Sequence, residues 1–266
     1  MDLGVQGKAF VIVGGSRDMG YEAARILSAD GARLALIGRS EASAGDAAEA
    51  LAKETGGETL GLGADASQPG EVEVAIERAA STFGGFDGLL TTAGWVSTNG
   101  MVTEASDADF EAVYQNIFMS VVRSVRAALP YLLASGASSV VTTSAYSIHA
   151  PKAFLAAYSA QKHAVANFTK NMATTYGPQG LRANCVCPGA VKTAVVRSLI
   201  EERAAAEGRS EEEVERILLL DEWKMPVALQ RLGEPHELGE LMAFLLSPRA
   251  AYTTGATINI DGGTDF

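Results

Sequence analysis

Short apolar runs alternate with segments of helical period along the whole chain. Strand-length runs fall at Ala9–Val13, Arg33–Ile37, Thr59–Gly63, Gly88–Thr92, Ser139–Thr143, Arg182–Val186 and Thr257–Ile260. Between them, the spacing of apolar residues predicts helices over Gly20–Ala29, Glu41–Thr55, Gly70–Phe83, Asp107–Leu133, Ala156–Tyr176 and His236–Leu246. The strand runs are nearly continuously apolar, as parallel strands covered on both faces must be. Repeated strand–helix–strand order predicts right-handed crossovers and one α/β domain over residues 1–266, a doubly wound parallel sheet of about seven strands.

One stretch breaks the rhythm. From Lys192 to Gly233 there is no strand signal, but two charged helical segments. The second opens on Ser210-Glu211-Glu212-Glu213, a capping box, followed by Val214, Ile217 and Leu218 on one face. Its place before the last strand, at the ligand-binding edge of an open sheet, suits a substrate lid. A surface excursion used for packing or subunit contact remains the alternative.

Composition narrows the function classes. Of 266 residues, 47% are apolar, so a core forms readily and wholesale disorder is excluded. Twenty-one basic residues against 32 acidic ones give a net charge of −11. Such a surface repels nucleic acid and anionic membranes, so neither is expected as a partner. No apolar stretch approaches the roughly 18 residues of a membrane helix. The two cysteines, Cys185 and Cys187, read as buried thiols, and a reducing, cytoplasmic setting is the expectation. His149, His163 and His236 are scattered without the arrangement of a catalytic triad.

Candidate chemistry clusters where strands end. The first strand runs into Gly14-Gly15-Ser16-Arg17-Asp18-Met19-Gly20 and then a helix, a turn suited to a pyrophosphate at a helix N-terminus. The second ends in Gly38 and Arg39, where NAD-selective folds place an acid that grips the ribose. A guanidinium there, with Arg17 as a second cation, matches a 2′-phosphate and favours NADP(H) over NAD(H). Tyr158 and Lys162 lie four apart on one helix, one turn from each other. An ammonium so placed is expected to lower the phenol's pKa toward useful values. Ser144, just past a strand end, would polarise a substrate carbonyl. Asn116 interrupts an apolar helix, and a poor helix former there implies a kink, a bound water or a polar contact.

In this order and spacing, the motifs resemble the short-chain dehydrogenase/reductase family, in its single-domain, Rossmann-type branch with the 3-oxoacyl-ACP reductases. Gly14 and Gly20 match the T-G-x-x-x-G-x-G turn, Thr91-Thr92-Ala93-Gly94 matches N-N-A-G, Pro188-Gly189 with Thr193 matches P-G-x-x-x-T, and Asp261-Gly262-Gly263 matches D-G-G. The resemblance implies a catalytic tetrad of Asn116, Ser144, Tyr158 and Lys162. It implies dinucleotide contacts from Gly14, Ser16, Arg17, Met19, Gly20, Arg39, Asp65 at the adenine, Ala66, Ala93, Gly94, Tyr158, Lys162, Pro188, Gly189, Val191 and Thr193. The implied reaction interconverts a carbonyl and an alcohol on a small molecule, in a homotetramer or homodimer, with no metal. Tyr146, Ile148, Trp95 and Phe154 would line the substrate site and suit a hydrophobic compound.

Four residues, in three motif positions, depart from the family pattern. Val13 lacks the hydroxyl that would tie down the turn, and Thr91 and Thr92 stand for two asparagines. Asp18 replaces the middle glycine and brings a carboxylate to the pyrophosphate, so it is expected to point away or pair with Arg17. These changes keep open a catalytically weak dinucleotide-binding scaffold or regulator. An isomerase or dehydratase on the same fold is a third reading.

Overall fold

The computed structural model describes residues 2–94 and 100–264; Trp95 lies outside them. Seven parallel strands form one sheet: β1 (Ala9–Val13), β2 (Arg33–Gly38), β3 (Thr59–Gly63), β4 (Gly88–Thr91), β5 (Ser138–Thr143), β6 (Leu181–Pro188) and β7 (Thr257–Ile260). Their order is β3-β2-β1-β4-β5-β6-β7. The order reverses between β1 and β4, so the connections leaving them part and open a crevice at the C-terminal edge. The inner strands are buried as expected, whereas β7, at an edge, alternates between exposed and partly covered residues.

Successive strand residues feed two cores, because side chains alternate across a sheet. Phe10 and Ile12 of β1 pack beneath α1 (Asp18–Ala29), α2 (Glu41–Thr55) and α9 (Pro235–Leu246). Ala9, Val11 and Val13 pack on the other face, with α3 (Glu71–Phe83), α5 (Ser120–Ser135) and α6 (Ala156–Tyr176). The helix before α5 is α4 (Asp107–Val113), capped by reciprocal bonds between Ser106 and Asp109. A π-helical segment, Tyr114–Met119, joins the two.

Together Asp107–Ser135 span 29 residues with a mean hydropathy of 1.4 over their most apolar window, long and apolar enough to cross a membrane. This differs from the expectation that no apolar stretch reaches membrane length. Much of its apolar surface is used inside the protein: Val113, Ile117, Val121, Val125, Ala128 and Leu132 are buried in the core.

The 192–233 segment folds as α7 (Ala194–Glu207) and α8 (Glu211–Ile217), then a π turn at Leu218–Glu222. The expected capping box forms, with Glu213 N donating to Ser210 Oγ and Ser210 N to Glu213 Oε2. The π turn shifts the apolar face, so that Leu218 and Leu219 are both buried while Ile217 is partly covered. Ile200, Val214, Leu218, Met225 and Leu232 make a small core of their own. The segment's two ends are zipped together: Lys192 N donates to Gly233 O and Gly233 N to Ala190 O. Lys192 Nζ adds ion pairs to Glu215 at 2.6 Å and Glu234 at 3.3 Å.

On the opposite face, α1 and α9 meet at Gly239, where a Cβ would lie 2.7 Å from Glu22 Cβ and 2.9 Å from Ala23 N. A Gly239→Val variant is expected to lose about 1–3 kcal/mol of stability through overpacking, read from urea denaturation. An unchanged midpoint would show that the two helices can separate at no cost.

Candidate active site

The turn after β1 owes its shape to close backbone approach. A Cβ on Gly14 (φ 90°) would fall 2.5 Å from Thr92 Oγ1 and 2.6 Å from Ala93 N, and one on Gly20 would fall 2.3 Å from Gly14 O. Both positions therefore require glycine. Thr92 Oγ1 donates to Gly14 O at 3.1 Å, so the tie that Val13 cannot make is supplied from the end of β4. That compensation had no signal in either motif read alone. α1 begins at Asp18, and Arg17 at its N-cap makes no side-chain capping bond. Among the described residues no acceptor covers the first N–H groups of this helix.

The adenosine side of the turn is bounded by β2 and β3. Gly38 leaves room for Ser16, whose Oγ would lie 2.8 Å from a Cβ there. Arg39 follows, exposed, and Arg17 is also largely exposed. Asp65 Oδ1 accepts from both the N–H and the hydroxyl of Ser67, which fixes the loop after β3. Arg123, buried on α5, donates to Ala66 O and Ser67 O and holds the same loop from below.

Asp18 lies in the left-handed region, φ 50°. Its Oδ2 is 3.7 Å from Arg17 Nε, the expected pairing. Its Oδ1 accepts from Ala194 N, the first residue of α7, at 2.7 Å. On the far side of the crevice Gly189 packs on Asp261, where a Cβ would be 2.7 Å from Asp261 Cα. Val191 pairs with Gly233, and Thr193 caps α7 in extended geometry without a side-chain bond.

Between these walls stand the candidate catalytic groups. Tyr158 and Lys162 share one face of α6, and this turn of helix is clamped to the end of β5. Ser144 Oγ donates to Lys162 O at 2.8 Å, and Lys162 Nζ donates to Thr143 O at 2.9 Å. In this conformation the Ser144 proton is engaged by the Lys162 backbone, which anchors α6 to the strand end. Asn116 sits in the π segment, a distortion common at functional sites, and its carbonyl accepts from Ser120 Oγ at 2.6 Å. Gly94 (φ 131°) packs against the same segment: a Cβ there would be 3.5 Å from Asn116 O.

The electrostatics differ from the sequence expectation. Lys162 Nζ lies 5.6 Å from the centre of the Tyr158 ring, over its face. Burial raises the Tyr158 pKa above its usual 10, and the neighbouring Tyr146 raises it further by repulsion between the ionised forms. Burial also lowers Lys162 to about 8. In the free protein, desolvation thus outweighs any help the ammonium gives the phenolate. Tyr146 itself packs on the small core of the 192–233 segment and so links the surroundings of the Tyr158 phenol to the two helices.

A family model described as Enoyl-(Acyl carrier protein) reductase matches residues 14–265. The D-beta-hydroxybutyrate dehydrogenase of Cupriavidus necator is 32% identical over 261 residues, 97% of this chain and 98% of that one. The chain belongs to the short-chain dehydrogenase/reductase family. The meso-2,3-butanediol dehydrogenase of Serratia marcescens is 33% identical, covering 96% of this chain and 94% of its own. Among solved structures, L-sorbose reductase from Gluconobacter frateurii, complexed with NADPH and L-sorbose, superimposes with a TM-score of 0.91 at 28% identity, covering 99% of this chain and 98% of that one.

Short-chain dehydrogenases/reductases use NAD(P), and the residues present fit that group. The uncapped N-terminus of α1 offers N–H groups to a pyrophosphate, and Gly14 and Gly20 let the backbone come close.

The buried lysine also makes a stability prediction. Between pH 8 and 10.5 the unfolded chain holds the Lys162 proton and the folded one does not, so stability due to this group rises with pH across that window. The difference in unfolding free energy between the wild type and Lys162→Met is expected to change by up to about 1.4 kcal/mol per pH unit there. A constant difference in urea titrations would show that Lys162 keeps its ordinary pKa.

Proposed function

We propose that this short-chain dehydrogenase/reductase is an NADP(H)-dependent enzyme that interconverts a ketone and a secondary alcohol on a hydrophobic small molecule. The observation that carries the reading is the clamp through Lys162 of the helical turn that also bears Tyr158 to the end of β5, at the sheet edge where the bare N-terminus of α1 also opens. NADP(H), when bound, supplies or accepts the hydride.

Tyr158 keeps its proton through neutral pH and can donate it to a substrate oxygen as that oxygen gains charge. Lys162, fixed by Thr143 O, retains donors for a ribose hydroxyl beside the phenol. Ser144 keeps the helical turn in register with β5, and its hydroxyl, free to rotate, would polarise the substrate's carbonyl oxygen. Asn116, in the π segment, would hold a water that replenishes the proton.

Arg17 and Arg39 support NADP(H) over NAD(H), since a 2′-phosphate finds two guanidiniums and β2 ends without a carboxylate. The NADPH complex of the similar L-sorbose reductase agrees with this choice. Substrate class is supported by an apolar lip: Met101, Val102 and Phe154 are exposed, and Gly100 N donates to Phe154 O. Relatives named for hydroxybutyrate and butanediol support the hydroxy/keto chemistry and not the apolar character of the substrate. A scaffold role is disfavoured by the intact tyrosine–lysine clamp.

Tyr158→Phe is expected to cut carbonyl-dependent NADPH oxidation by about 10²–10⁴-fold while leaving NADPH binding intact. Retention of activity within about tenfold of the wild type would overturn the acid assignment. The wild type should show a higher kcat/KM with NADPH than with NADH, and Arg39→Ser should narrow the ratio. A preference for NADH would refute the phosphate grip.

A further inference from the structure

We propose that Asp18 is a positioning residue that fastens the 192–233 helices to the phosphate-binding turn, so that dinucleotide binding and closure of those helices reinforce one another. The dinucleotide half of this statement rests on the function proposed above; the fastening does not.

The contact joins residues 176 apart in sequence: Asp18 Oδ1 accepts from Ala194 N at 2.7 Å. Ala194 opens α7, and Thr193 at the N-cap contributes no side-chain bond of its own. Asp18 thus supplies from another element the acceptor that a helix N-terminus ordinarily takes from its N-cap residue. A carboxylate is also the charge that the positive end of a helix dipole favours. The rest of the segment is fixed at its base, by the Val191–Gly233 pairing and by Lys192 against Glu215 and Glu234. Asp18 is the fastening on the side of the crevice that faces α1.

The same carboxylate stands at the first position of α1, where a pyrophosphate would be drawn. Left unneutralised, it repels that anion. Bonded to the start of α7, and 3.7 Å from Arg17, it has its charge partly offset. Seating α7 therefore makes the turn more receptive to phosphate. By thermodynamic reciprocity, a bound phosphate favours the seated helix. A non-glycine residue held at φ 50° fits a side chain retained for this contact, since glycine would be less strained there.

The test uses the full chain and two variants. Asp18→Gly suits the backbone angle and removes the acceptor. Asp18→Asn keeps an oxygen in place and removes the charge. Hydrogen–deuterium exchange of α7 is read first without nucleotide. Amides of its first turn should exchange about tenfold faster in D18G and stay near wild-type protection in D18N. Unchanged exchange in D18G overturns the proposal. NADPH titrations of the same proteins should give the tightest binding in D18N, with weaker binding and little added protection of α7 in D18G. Equal affinity in D18G and D18N overturns the coupling. A wild type that binds no NADPH overturns the proposed function instead, and the nucleotide-free exchange result separates the two failures.

Discussion

Two reciprocal hydrogen bonds between the end of β5 and one turn of α6 set the geometry on which the site depends. Ser144 gives its proton to the backbone of Lys162, and Lys162 gives one of its own to the backbone of Thr143. Each uses a buried donor to satisfy a buried carbonyl, so loss of either leaves a polar group unpaired in a dry place. The phenol of Tyr158 is carried on the same helical turn. Its position relative to the sheet edge is fixed by a side chain–backbone lattice and does not depend on its own hydroxyl.

That dryness governs the protonation states as well. A buried phenol holds its proton, and a buried ammonium parts with its own more easily. For the proposed carbonyl reduction the first effect is useful, because a tyrosine acting as the acid must still hold its proton. The overall charge of −11 opposes a polyanionic cofactor. In the proposed reading local groups overcome it, namely the bare start of α1, Arg17 and Arg39, and Asp18 opposes them less when it is bonded to the start of α7.

Much of this was legible in the sequence. Seven apolar runs gave the strands to within a few residues, because buried parallel strands leave little room for polar residues. The i, i+4 spacing of Tyr158 and Lys162 placed both on one face, and Asn116 marked a helix irregularity that proved to be π-helical. What stayed hidden depends on side-chain direction or on chain segments far apart. Spacing could not show that Ser144 faces α6, that Thr92 would replace the missing hydroxyl at Val13, or that Asp18 would meet Ala194. The sign of the tyrosine's shift was also beyond it, since the sequence shows that a cation is near but not how much water has been excluded. The apolar helix through residues 107–135 was underestimated because charged and small residues break its pattern.

The most direct measurement is an NMR titration of the ¹³C-labelled Tyr158 ring in the free protein, assigned with Tyr158→Phe. The expected result is a phenol that keeps its proton through the ordinary tyrosine value of 10 and beyond. Ionisation below about pH 9 would contradict it, showing that the lysine's charge and not desolvation controls the acid.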